Sequence, residues 1–219
     1  MIRKNKADID LIIFDLDGTL LDTYLYIVMN YVHLFDLYHK KAPTLETMIF
    51  FSGPPLYDIL PKYFPEVPLP TLLEEFKDFS LRHSNQYSSL YEKEIPVLDG
   101  LREAGYRMAV LTSKSREAAM DNLTYFGLDR YMEIVLALEE YALPKPDPCG
   151  VNEILKRTGV KADRAFVIGD SESDILSGNR AHAHTGFIAF GPKHLSCPEA
   201  KEAYASYEDI ERSFLHHDR

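Results

Sequence analysis

The chain predicts an α/β fold: a parallel sheet with helices on both faces, interrupted by one helical insertion. Three observations carry this reading. Short apolar runs of strand length recur along the sequence. Helix-like segments separate them, which is the rhythm of successive βα units. Residues 22 to about 93 break that rhythm, holding much of the aromatic content and several prolines but no comparable buried run.

Ile9-Asp10-Leu11-Ile12-Ile13-Phe14 is short enough to be a buried strand and opens the sheet. Within the insertion, Tyr24–Leu37 and Leu72–Tyr87 read as amphipathic helices, and their aromatic stripes read as core packing rather than a cofactor site. A helix-like segment at 97–104 leads into the second strand, Arg107-Met108-Ala109-Val110-Leu111. Another at 115–126 precedes the third, Glu133-Ile134-Val135-Leu136-Ala137-Leu138. The segment 148–158 precedes the fourth, Arg164-Ala165-Phe166-Val167-Ile168, and 172–181 precedes the fifth, Thr185-Gly186-Phe187-Ile188-Ala189-Phe190. From Lys193 the tail is charged, and His216-His217 reads as part of a solvated terminus rather than a metal site.

At 219 residues the chain can bury a real core. Its 34 acidic and 24 basic residues give a net charge of −10, which disfavours broad binding to nucleic acid or an anionic membrane. A small anion could still bind in a local pocket that carries a lysine and a metal. Cys149 and Cys197 lack CxxC spacing and build no disulfide framework, so a reducing compartment is expected. No signal-peptide apolar core precedes the first strand, and no window approaches the length of a membrane span. The expectation is a cytoplasmic protein.

The chemistry-bearing residues fall at strand ends. Asp15-Leu16-Asp17-Gly18-Thr19 follows the first strand, at the sheet edge where open α/β folds place ligands. Asp15 and Asp17 repel unless a cation or a shared proton offsets them, and a hard divalent ion such as Mg²⁺ prefers oxygen ligands. Gly18 permits a sharp turn, and Thr19 can bond back to it or orient a carboxylate. The second strand ends in Thr112-Ser113-Lys114, where hydroxyls and N–H groups can meet a phosphate oxygen. Thr112, at the strand end itself, is the stronger candidate, whereas Ser113 is better read as a helix cap. Lys145 is held between Pro144 and Pro146, which restrict the backbone on each side. The fourth strand ends in Gly169-Asp170-Ser171-Glu172-Ser173-Asp174, with Asp170 and Asp174 one helical turn apart and able to face one ion.

Taken in order, these motifs resemble the haloacid dehalogenase-like hydrolase superfamily over nearly the whole chain. They are most similar to its phosphoglycolate phosphatase and β-phosphoglucomutase-like branch with a helical cap. Phe51-Ser52-Gly53-Pro54-Pro55-Leu56 is similar to the cap loop of that branch. The resemblance implies a Rossmann-like core over residues 1–20 and 95–219 and an all-helical cap over 21–94. The cap would close over the core, exclude water and select the substrate.

By the same resemblance, Asp15 is the nucleophile that forms an aspartyl-phosphate, and Asp17 protonates the leaving group and then activates water. Thr112 binds the transferring phosphoryl group and Lys145 steadies its charge. Gly18, Thr19, Ser113, Lys114 and Gly53 complete the substrate-binding set. Mg²⁺ is held by Asp15, the backbone carbonyl of Asp17, and Asp170, with Asp174 acting directly or through water. The implied partner is a small phosphorylated metabolite, met by a monomer or homodimer.

Asp17 favours phosphate chemistry, because relatives that cleave carbon–halogen or carbon–phosphorus bonds generally lack an aspartate there. Gly169 argues against a sugar phosphomutase, since those enzymes usually carry Glu-Asp at this point. The expectation is therefore a phosphatase acting on a small monoester or on pyrophosphate. A phosphomutase and a non-catalytic phosphate-binding regulator are the alternatives. Where relatives often have glycine, this chain has His182, which would be mildly strained if its φ is positive.

Overall fold

A computed structural model describes residues 2–51, 56–192 and 196–217. In chain order the elements begin with β1 (Ile2–Lys4), β2 (Leu11–Phe14), α1 (Tyr24–Leu37), α2 (Leu45–Ile49), α3 (Leu56–Tyr63) and α4 (Leu69–Tyr87). They continue with α5 (Glu94–Glu103), β3 (Arg107–Leu111), α6 (Arg116–Tyr125), β4 (Ile134–Leu136), α7 (Cys149–Thr158) and β5 (Ala165–Gly169). The last are α8 (Glu172–Arg180), β6 (His184–Ile188), β7 (Glu202–Tyr204), α9 (Tyr207–Phe214) and β8 (Leu215–His217). They form two compact units, Met1–Leu21 with Leu90–Arg219, and Asp22–Ser89.

The first unit holds a six-stranded sheet in the order β4-β3-β2-β5-β6-β7, parallel throughout. Side chains alternate across it. Ile12, Phe14, Met108, Val110, Phe166 and Ile168 point to one face, packing in one core with Val97, Leu98 and Leu101 of α5 and Ile210 and Phe214 of α9. Leu11, Ile13, Ala109, Leu111, Ala165 and Val167 point to the other, packing with Val151, Ile154 and Leu155 of α7. Both faces are covered, so the strands must be apolar at every position, and that is why they stand out as unbroken apolar runs.

The tail departs from expectation. No element was expected beyond Lys193, yet it supplies β7 at the sheet edge, the amphipathic helix α9, and β8 paired antiparallel with β1. His216 and His217 therefore belong to a strand, opposite Arg3 and Ile2. β7 escapes pattern reading because it is three residues long and begins with a charge. The signal for α9 was present: Ser206 caps Asp209 N, and Tyr207, Ile210 and Phe214 recur at helical spacing.

The second unit is helical. Its core joins Tyr31, Leu34, Phe35, Phe51, Phe64 and Leu72. Tyr31 meets Phe51 edge-on at 4.7 Å and Phe35 meets Phe64 at 4.9 Å, so the aromatic stripes are packing. Buried Asn30 donates to Tyr26 O and accepts from Ser80 Oγ, which ties α1 to α4. The two ends of the insertion are pinned by paired backbone bonds between Asp22 and Ser89, at 2.9 and 3.1 Å. Ser52, Gly53, Pro54 and Pro55, the expected cap loop, lie outside the described residues.

His182 does carry positive φ, at 62°. It closes α8: His182 N donates to Asn179 O and Ala183 N to Gly178 O, the double bond pattern of a left-handed helix end. The histidine is exposed, so little packing offsets the strain. His182→Gly should raise unfolding free energy by about 0.5–1 kcal/mol, read from urea denaturation. No gain would mean that the imidazole makes contacts that offset the strained backbone.

Candidate active site

The sheet grows from β2 through β3 to β4 on one side and from β5 through β6 to β7 on the other. The carboxyl ends of the adjacent strands β2 and β5 therefore flank the point where the winding reverses, the usual ligand crevice of such sheets. Asp15 follows β2 there, its N–H donating to Ile168 O at 2.9 Å. The chain then curls tightly. Leu16 O accepts from Thr19, Leu20 and Leu21 N–H groups at 2.9–3.3 Å, and Gly18 N donates to Leu21 O. Gly18 has φ 82°, and a Cβ there would fall 2.3 Å from Asp170 Oδ2. The position needs glycine for both backbone sign and space.

At the end of β5, a Cβ on Gly169 would lie 2.3 Å from that of Asp174. This bare backbone lets the Asp174 side chain fold back over the strand end. Asp174 Oδ2 accepts from Ser171 N and Ser171 Oγ, while Ser171 Oγ accepts from Asp174 N, a reciprocal cap on α8. Its Oδ1 accepts from Lys145 Nζ at 2.5 Å. The same ammonium donates to Asp15 Oδ1 at 2.7 Å and to Leu111 O at 3.3 Å. Carboxylate oxygens of Asp15, Asp170 and Asp174 all lie within 4.8 Å of one another.

The electrostatics follow from this crowding. Burial, with Asp174 and Asp170 nearby, pushes the Asp15 carboxyl well above the ordinary aspartate value against the pull of Lys145. Burial also works against the charge on Lys145, but Asp15 and Asp174 outweigh it and raise the ammonium above its usual value. Three carboxylates against one ammonium leave two negative charges over. A divalent cation matches that remainder, and an all-oxygen donor set suits Mg²⁺. Both Asp174 oxygens already accept hydrogen bonds, whereas Asp15 Oδ2 carries none that the structure describes.

Asp17 stands apart from this cluster. Its Oδ1 pairs with Lys114 Nζ at 2.8 Å, and Lys114 also donates to Asn122 Oδ1 at 2.7 Å. Lys114, expected among the substrate-binding groups, is thus engaged by a carboxylate and a fully buried amide. Thr112 directly follows β3, its hydroxyl accepting from Lys114 N at 3.1 Å. Ser113 is exposed and does not cap α6; Ser115 does, two residues on, accepting from Ala118 N. Thr19 is fully buried and its hydroxyl has no hydrogen-bond partner among the described residues. Gly53 lies outside them.

Several polar residues escaped sequence reading. Asn122 sits on the apolar face of α6 between Ala119 and Leu123, which was its only signal. Asp174 was expected as a metal ligand, and what was missed is its reciprocal capping box with Ser171, a pattern visible in the sequence. Glu94 is the first residue of α5 and only 1% exposed. Its Oε2 accepts from Tyr91 N at 3.0 Å, and its Oε1 has no partner among the described residues.

Burial pushes the Glu94 carboxyl well above the ordinary glutamate value of 4.5, against the bond from Tyr91 N. The folded state therefore holds this proton more tightly than the unfolded chain does. The resulting stability is fully present below pH 4.5 and is lost as pH rises through the raised folded value. Glu94→Gln should gain on the unaltered protein in unfolding free energy as pH rises above 4.5. Parallel pH profiles for the two proteins would show that Glu94 is not the source of any slope.

Comparison with known proteins is consistent along the chain. Residues 12–188 match the haloacid dehalogenase-like hydrolase family. The pyrophosphatase PpaX of Bacillus velezensis is 31% identical over 202 residues, covering 91% of this chain and 93% of that protein. The PpaX of Halalkalibacterium halodurans is 30% identical over 183 residues, covering 84% and 85%. A predicted phosphoglycolate phosphatase from Haemophilus somnus superposes with a TM-score of 0.83 at 20% identity, covering 94% and 98%, and shares the fold.

Proposed function

Because the chain belongs to the haloacid dehalogenase-like hydrolases, we propose that it is a Mg²⁺-dependent phosphatase hydrolysing pyrophosphate or a small phosphate monoester through a phosphoryl group carried on Asp15. One observation carries the proposal: Lys145 bridges Asp15 and Asp174 beside Asp170, while Asp17 is held separately by Lys114. A nucleophile with its neutralising charges and an independent acid–base group are what phosphoryl transfer needs.

In the proposed reaction an Asp15 oxygen attacks phosphorus in line, forming the acyl-phosphate bond as the bond to the leaving oxygen breaks. Asp17 gives a proton to that oxygen, then takes one from the water that hydrolyses the acyl-phosphate and regenerates Asp15. Lys145 and the Thr112 strand end steady the charge on the transferring oxygens, and the backbone N–H of Ser113 is a further candidate for that role, whereas the N–H groups of Gly18 and Thr19, expected there from the sequence, are already engaged by Leu21 O and Leu16 O. Mg²⁺ would be held by Asp15, the Asp17 carbonyl and Asp170, with Asp174 acting directly or through water, and would supply the remaining positive charge. The helical unit Asp22–Ser89, which ends a few residues short of the 21–94 span expected from the sequence, is proposed to serve as a substrate-selecting cap.

Pyrophosphate is favoured by the PpaX relatives, which match this chain over most of its length. The test is phosphate release across pyrophosphate, phosphoglycolate, nucleotide monophosphates and sugar phosphates, with and without chelator. A clear Mg²⁺-dependent preference is expected. Silence across the panel from a folded protein that binds Mg²⁺ would overturn the phosphatase reading.

A further inference from the structure

The loop from Asp15 to Leu21 bonds mainly to itself, through Leu16 O and Leu21 O. One side chain from far along the sequence grips its backbone. Tyr207 Oη donates to Thr19 O at 2.8 Å, with donor and acceptor both buried.

Tyr207 is well placed to hold that loop still. It is the first residue of α9, whose cap is closed by Ser206 Oγ accepting from Asp209 N, with Asp209 Oδ2 accepting from Ala205 N. Ile210 and Phe214 anchor the rest of the helix in the core. The Tyr207 ring packs against Phe190 and Tyr91, with centroids at 5.6 and 6.0 Å. Burial above all, with Glu94 and Tyr91 alongside, pushes its phenol well above the ordinary tyrosine value, so the hydroxyl stays a donor. The loop it grips has no slack. Gly18 leaves no room for even a Cβ against Asp170, and the Asp17 carbonyl lies two residues before the gripped Thr19 carbonyl.

We propose that Tyr207 is a positioning residue for the metal site: its hydroxyl, by fixing the Thr19 carbonyl, holds the Asp15–Gly18 backbone at the distance from Asp170 that Mg²⁺ binding requires. The proposal rests on the reading of Asp15, the Asp17 carbonyl and Asp170 as the metal site. Tyr207→Phe keeps the ring and removes only the hydroxyl. Its Mg²⁺ dissociation constant, measured by titration calorimetry without substrate, should rise about 10-fold. Saturating Mg²⁺ should recover most of kcat, with KM for substrate unchanged.

A merely structural role would lower the melting temperature in EDTA and leave Mg²⁺ affinity untouched, and that result would overturn the proposal. Tyr207→Leu, which removes the ring as well, separates the two effects: it should match Tyr207→Phe in Mg²⁺ affinity while melting lower. Absence of Mg²⁺ binding by the unaltered protein would remove the metal site and this proposal together. Equal binding by the unaltered protein and Tyr207→Phe would remove the proposal alone.

Discussion

Lys145→Met should destabilise the protein by about 3–5 kcal/mol in EDTA, because it strands carboxylates that are buried and paired. Lys145 Nζ lies 2.7 Å from Asp15 and 2.5 Å from Asp174, and the three side chains are 10% exposed or less. Methionine fills a similar volume without charge, so the loss reports on the missing ammonium rather than on a cavity. Mg²⁺ should return part of the stability, since a divalent ion beside Asp15 and Asp170 supplies counter-charge to the same cluster. Urea denaturation in EDTA and in Mg²⁺ measures both effects. An unchanged unfolding free energy would mean that Lys145 is not what holds these carboxylates.

Asp15→Asn should behave in the opposite way towards folding while being the more damaging to turnover. It replaces one of three crowded carboxylates by a neutral group of the same shape and leaves Lys145 paired with Asp174. Unfolding free energy in EDTA should be equal to or above that of the unaltered protein. Turnover should fall by at least about 10⁴-fold, because an amide cannot act as the phosphoryl acceptor. Retained activity would sink the proposed mechanism. The two variants together separate charge balance from chemistry: both lose activity, and only one loses stability.

The candidate site was readable from sequence where its signals are local. Asp15 and Asp170 each close an apolar run, and that position marks them as sheet-edge residues. Gly18 was readable as a turn, although its second requirement, the close approach of Asp170, was not. Lys114 shows the limit. Its partner Asp17 lies 97 positions away, and the local motif suggested a substrate contact rather than an ion pair. Ser113 shows another: a hydroxyl at a strand end suggested a cap, and the chain runs two residues further before α6 begins at Arg116 after Ser115.

By itself the sequence determined the α/β class, the helical insertion, five of the six strands of the main sheet and the acids at their ends. These follow from apolar run length, helical spacing and glycine, all properties of neighbouring residues. Tertiary structure alone decided the strand order, the second pairing of Lys145 with Asp174 beside the Asp15 contact its rigid loop suggested, the grip of Tyr207 on Thr19, and the burial of Glu94. Each depends on which strand ends and helix starts the folded sheet brings side by side. That adjacency is set by packing among elements far apart in sequence, and no local pattern encodes it.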